Sequence, residues 1–126
     1  MKIVNNATRR AVVDAIGDRR CVVTIGAYDG VHLGHRTVIG QVRAKATELG
    51  AASVVVTFDR HPASVVRPES APKLLTDAEQ KLELLASTGV DATLVVPFDS
   101  TQSTEAPADF VRRVLVDALA VRGVIV

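Results

Sequence analysis

Tryptophan is absent from this 126-residue sequence, and one tyrosine and three phenylalanines are its only other large aromatic residues. So few rings leave little surface on which successive bases could stack, which argues against a single-stranded nucleic-acid binder. Net charge is nearly absent too. Fifteen Lys and Arg against fourteen Asp and Glu leave +1, so no bulk electrostatic footprint for nucleic acid or an anionic membrane follows. A single cysteine, Cys21, excludes an internal disulfide. It sits in an apolar run and reads as a small buried hydrophobe rather than a catalytic thiol. No apolar stretch approaches the roughly 18 residues of a membrane span. The opening MKIVNNATRR lacks the apolar core of a secretory signal. A cytoplasmic, reducing compartment is the expected home.

What the chain does have is core. Hydrophobic residues make up 48% of it, enough for one globular domain. The apolar segments alternate in kind. Met1 to Val4 suits a short strand, and Val12, Val13 and Ile16 fall at helical spacing before Gly17. Cys21-Val22-Val23-Thr24-Ile25 is apolar throughout. Val38, Ile39, Val42, Ala46 and Leu49 then follow the 3.6-residue period up to a stop at Gly50. Ser53-Val54-Val55-Val56-Thr57-Phe58 is again apolar without alternation, as in a parallel strand covered on both faces. Strand, helix, strand is a βαβ unit.

The second half repeats the scheme. Thr76 and Glu79 make a capping-box pattern before a helix with Leu82 and Leu85 on its buried side, stopped by Gly89. Lys81 reads as a surface lysine, and Arg9-Arg10 and Arg19-Arg20 as solvated pairs. Thr93 to Val96 is a strand. Pro107 suits a helix start, and Phe110, Val111, Val114, Leu115, Ala118 and Leu119 form one apolar stripe. Gly123 to Val126 reads as a last strand. The fold class expected is α/β, three layers with a central parallel sheet.

The stretch with chemical content is Thr24 to His35, TIGAYDGVHLGH. An apolar strand stops at Gly26, a glycine-bearing loop follows, and His32-Leu33-Gly34-His35 opens the next helix. Free N–H groups at a helix start attract anions, and glycines let the backbone sit close to a ligand. His32 and His35 are i, i+3, so a helix carries both rings on one face. A lone loop histidine or a lone glycine pair is usually structural. H-x-G-H placed directly after strand-G-x-x-D-G is far more specific, and it suits phosphate charge.

That string resembles the signature of the HxGH nucleotidyltransferase superfamily. GAYDGVHLGH is closest to the FAD synthetase family, the bacterial flavokinase/FMN adenylyltransferases, with Ala27 and Tyr28 where the family usually has an aliphatic residue and Phe. A second string, Thr57-Phe58-Asp59-Arg60-His61-Pro62, resembles the family's T-F-D-P-H-P, with Arg60 in place of proline. Arg67-Pro68 through Thr76 matches its R-P…L-T passage.

The resemblance implies a Rossmann-like sheet and transfer of AMP from ATP to FMN, giving FAD and pyrophosphate. It implies His32 and His35 as catalytic groups on the ATP phosphates, and Gly26, Ala27, Tyr28, Asp29, Gly30 and Gly34 around the nucleotide. Asp59, Arg60, His61 and Pro62 would form the flavin-side loop. Mg²⁺ is expected to bridge the phosphates, with Asp29 and Asp59 as candidates near it and loop-stabilising hydrogen bonds as their alternative role. Residues 1–126 correspond to the front of the family's adenylyltransferase domain, so a partial domain without the riboflavin kinase domain is expected. Two readings compete: another HxGH nucleotidyltransferase, or a nucleotide-binding module without turnover.

Overall fold

A computed structural model describes residues 1–26, 33–58, 78–97 and 105–125, with the side chains of residues 33, 34, 78 and 79 excepted. Five parallel strands form one sheet: β1 (Lys2–Val4), β2 (Cys21–Ile25), β3 (Ala52–Phe58), β4 (Ala92–Val96) and β5 (Val121–Val124). Their order is β1-β4-β3-β2-β5. Among the described residues four helical segments connect them: α1 (Arg9–Ile16), α2 (Leu33–Leu49), α3 (Ala78–Ala86) and α4 (Pro107–Phe110), the last running directly into a π-helical stretch, Val111–Ala118.

The strands are apolar on both sides because both faces of the sheet are covered. Odd and even residues of each strand point to opposite layers. Cys21, Val23, Val54, Val56, Leu94 and Val96 pack with Val12 and Ile16 of α1 and with Val114, Leu115 and Ala118. On the other face Val55 meets Ile39 of α2 and Leu85 of α3, and Val22 meets Val42 and Ala46. The result is the three-layer αβα sandwich expected from the sequence.

The direction of travel across the sheet sets which face each helix covers. The chain steps from β2 to β3 to β4 through α2 and α3 on one face. It then reverses to reach β5 beyond β2, and the connecting helix lies on the opposite face, as right-handed crossovers demand. Strand β2 is therefore where the order turns round. In open α/β sheets that crevice, at the carboxyl ends of the strands, is where ligands bind.

Helix ends follow local chemistry. Thr8 Oγ1 accepts from Ala11 N at 3.2 Å to cap α1. Gly17, Gly50 and Gly89, each placed as a stop by the sequence, have φ of 81°, 65° and 81°, a region that favours glycine.

Three details differ from the sequence reading. Val111 is exposed rather than part of the buried stripe. The cause is the π geometry: Leu119 N donates to Val114 O, five residues back, at 3.1 Å. A wider turn rotates each successive side chain by less than the ~100° of an α-helix, which carries Val111 outward and brings Phe110 against the core cluster. Strand β5 begins at Val121, directly after Ala120, rather than at Gly123. Lastly, Arg9, Arg19 and Arg20 are not merely solvated. Arg9 donates to Ala118 O and Asp18 O, Arg19 to Ile16 O, and Arg20 to Ala120 O and Val121 O. Carbonyls freed at the helix ends find these guanidinium donors.

Candidate functional site

The carboxyl edge of β2 and β3 collects the chemistry. Thr24, 1% exposed, is buried near the end of β2. Gly26 N donates to Val56 O at 3.0 Å, extending the β2–β3 ladder one residue past Ile25 before the chain leaves the sheet. Helix α2 starts at Leu33 and packs across β2 and β3. His35 lies in its first turn, half-buried. The first-turn N–H groups of a helix have no partner within it, and they carry the positive end of its dipole. Gly26 is thus fixed by the sheet at the end of β2, and Gly34 and His35 belong to the start of α2. Ala27, Tyr28, Asp29, Gly30 and His32 lie outside the described residues, as do Asp59, Arg60, His61 and Pro62 and the capping-box Thr76.

One strand over, three features appear that sequence reasoning did not assign to the site. Phe58, last in β3, packs on Phe110, with ring centroids 6.3 Å apart and planes inclined by 39°. The Arg113 guanidinium carbon lies 5.9 Å from the Phe110 centroid, within cation–π range. Arg113 also forms a fork with Glu105: Nε to Oε2 at 3.1 Å and Nη2 to Oε1 at 2.9 Å. Donation from Arg113 holds the Glu105 carboxyl below its ordinary value, and the same contact raises the guanidinium. Lys81 Nζ donates to Phe58 O at 2.8 Å and to Thr57 Oγ1 at 3.2 Å. It is a half-buried strap rather than a surface lysine. The one available signal for the aromatic pair was Phe110, three residues after Pro107 in the same helix; nothing local in the sequence ties Lys81 to β3.

Cys21 plays no part in this edge. It is fully buried at the other end of β2, and burial pushes its thiol up to about 11, with Arg9 and Arg19 pulling weakly the other way. Among the described residues no group of three His, Cys, Asp or Glu side chains could hold a metal ion. No helix among them is long and apolar enough to cross a membrane.

A half-buried imidazole in the first turn of a helix can donate to phosphate oxygens. An aromatic pair one strand away can carry a planar ring. The described part of this edge therefore offers a helix start carrying an imidazole and, one strand over, an aromatic pair.

Comparison with known proteins places the chain in a family. Residues 15–126 match the family model described as FAD synthetase. The chain is 41% identical over 104 residues to a bifunctional riboflavin kinase/FMN adenylyltransferase of Pseudomonas fluorescens, covering 82% of this chain and 33% of that protein. Proteins of the same description from Listeria monocytogenes and Escherichia coli K12 are 42% and 34% identical over 105 and 102 residues, again covering 33% of each. The chain thus spans about a third of the length of these relatives. Among solved structures, a macrolide-efflux protein from Streptococcus pneumoniae superimposes with a TM-score of 0.78 at 17% identity, over 99% of this chain and 47% of that one. A pantoate-beta-alanine ligase from Francisella tularensis gives 0.53 at 17%, over 89% and 44%. At such identities both speak for the fold alone.

Proposed function

The chain belongs to the FAD synthetase family, and from that premise we propose that it carries the adenylyl-transfer site of an FMN adenylyltransferase. The reaction is ATP plus FMN giving FAD and pyrophosphate. An oxygen of the FMN phosphate forms a new bond to the α-phosphorus of ATP. The bond from that phosphorus to the bridging oxygen breaks, and pyrophosphate departs with the electron pair. No covalent intermediate with the protein is needed.

The observation that carries the reading is the start of α2: the H-x-G-H helix opens at the carboxyl end of β2, where strand order reverses. His35 donates to phosphate oxygens there, and His32, its partner in the motif, does the same. Gly26 through Gly30 and Gly34 wrap the nucleotide phosphates. Neutralising charge on the transferring group and holding the acceptor in line supply the rate enhancement. The isoalloxazine ring of FMN lies toward Phe58 and Phe110, and the loop Asp59 to Pro62 borders it. Arg60 adds a cation where the family usually has proline, and without proline its φ is no longer fixed by a ring.

Magnesium is the expected counter-ion to the triphosphate. It keeps several waters and takes few protein ligands. The described residues do not themselves form a donor set, and Asp29 and Asp59 are the carboxylates proposed beside it. When bound, the ion would offset phosphate charge. Riboflavin kinase activity, which the relatives' names also carry, would belong to a part of the protein outside these residues. A cytoplasmic location suits both substrates.

The test is product formation. The full-length protein, given ATP, FMN and Mg²⁺, should yield FAD and pyrophosphate in equal amounts by flavin chromatography and a coupled pyrophosphate assay. ATP binding without pyrophosphate would replace this reading with a module that lacks turnover. Use of CTP, or transfer to phosphopantetheine instead of FMN, would move the protein elsewhere in the HxGH superfamily.

A further inference from the structure

Lys81 is held in a way that packing alone does not require. It projects from α3, on the layer that covers Val55 and Thr57, yet its ammonium reaches the carboxyl edge of the sheet. There it donates to the Phe58 carbonyl at 2.8 Å and to Thr57 Oγ1 at 3.2 Å. Thr57 is fully buried. The Phe58 ring points to the opposite layer and packs on Phe110. One side chain from one helical layer therefore fixes the peptide whose own side chain builds the aromatic surface on the other. A terminal strand carbonyl is satisfied equally well by water. Immobilising a lysine for that purpose forfeits more rotamer freedom than any shorter donor would.

We propose that Lys81 is a positioning residue for the aromatic half of the site, setting the Phe58 peptide and through it the Phe58–Phe110 surface that receives the ring of the acceptor nucleotide. The proposal rests on the adenylyl-transfer reading and assigns Lys81 to the acceptor side of that reaction, apart from the ATP phosphates. His35 stands at the start of α2, after β2, whereas Thr57 and Phe58, the described acceptors of Lys81, belong to β3. Loss of the ammonium is accordingly felt by FMN and not by ATP.

Steady-state kinetics on the full-length protein test this, with Lys81→Met, Lys81→Arg, Phe110→Leu and the double variant Lys81→Met/Phe110→Leu compared with wild type. Removing the charge-assisted hydrogen bond that fixes the Phe58 carbonyl, together with the one to Thr57, predicts a rise of roughly tenfold in KM for FMN, with KM for ATP within twofold and the melting temperature little changed. Lys81→Arg restores most of the FMN affinity. Since Lys81 acts through the aromatic pair, the double variant should be no worse for FMN than the poorer single variant. Unchanged KM for FMN in Lys81→Met overturns the proposal. So does a joint rise in both KM values with a fallen melting temperature, which marks a purely structural role. If Lys81→Met does not fold, Lys81→Arg decides by itself, because a KM for FMN and for ATP shifted equally contradicts an acceptor-side role. A wild-type protein without FAD formation removes the adenylyl-transfer reading and this assignment together, whereas an active wild type with an unaffected Lys81→Met removes only the latter.

Discussion

Asp91 offers a quantitative test of how the two edges of the sheet divide their work. It sits just before β4, at the amino edge. Its Oδ2 accepts from Ser53 N at 2.8 Å and from Ser53 Oγ at 3.1 Å, while Asp91 N donates to Ser53 Oγ at 2.9 Å. Ser53 is 3% exposed, so Asp91→Ala leaves a buried N–H and a hydroxyl without their acceptor. Bonds to a charged group contribute about 1.5–3 kcal/mol each, and an orphaned buried donor costs about 1–3 kcal/mol. The Asp91 side chain itself is solvent-exposed, so water enters and recovers part of the loss. A net destabilisation of about 2–3 kcal/mol follows. For a domain of this size roughly 4 °C of Tm corresponds to each kcal/mol, so Tm should fall by about 8–12 °C. Differential scanning calorimetry on wild type, Asp91→Ala and Asp91→Asn measures it, with Asn, which keeps one acceptor, falling between. The same variants should retain KM for ATP and FMN below their melting range, since the substrates belong at the opposite edge. A Tm shift under 2 °C, or an altered KM with unaltered Tm, would refute the division.

The remaining predictions concern strain and an ion pair. Ala120 has φ 47°, where an L-residue is strained by roughly 1–2 kcal/mol. Ala120→Gly removes that strain and gives back about 0.4–1 kcal/mol through the unfolded chain, so denaturant titration should show equal or slightly greater stability, never a marked loss. Glu105 has a folded pKa below its ordinary 4.5, chiefly through the hydrogen bond from Arg113. Its stabilising contribution is therefore complete above the unfolded value and disappears as pH falls through the lower folded one. Wild type and Glu105→Gln should differ in Tm at pH 7 and converge at strongly acidic pH; because the carboxylate is open to solvent the difference is small, and a gap that widens on acidification would reverse the sign of the argument.

The parts of the fold set by neighbours in sequence were legible in it. Uninterrupted apolar runs gave β2 and β3 as strands covered on both sides, and the 3.6-residue period of Ile39, Val42 and Ala46 gave α2. Gly17, Gly50 and Gly89 stop helices because their backbones enter a region other residues avoid. Contacts between distant residues were not legible. No local pattern says that β1 pairs with β4, 90 residues away by the Lys2–Ala92 register, nor that Arg9 reaches Ala118 O or Lys81 reaches Phe58 O. The stripe in the last helix failed at Val111 because a 3.6-residue period was assumed for a stretch that turns more slowly. The motif string marked Gly26 as the end of β2 and His35 as the opening of a helix, and the structure has both there. Charge and spacing could not place Phe110, Arg113 and Glu105 beside Phe58, because that meeting depends on which face the fourth crossover covers.

The account as a whole depends on imidazole donors at the mouth of α2 acting on phosphate. FAD formation by His35→Ala and His32→Ala, measured at saturating ATP and FMN beside wild type, tests it most directly. Loss of one pre-aimed donor predicts a fall in kcat of about 10²- to 10³-fold, with the melting temperature held within a few degrees. Turnover within a fewfold of wild type in a folded His35→Ala protein would contradict it.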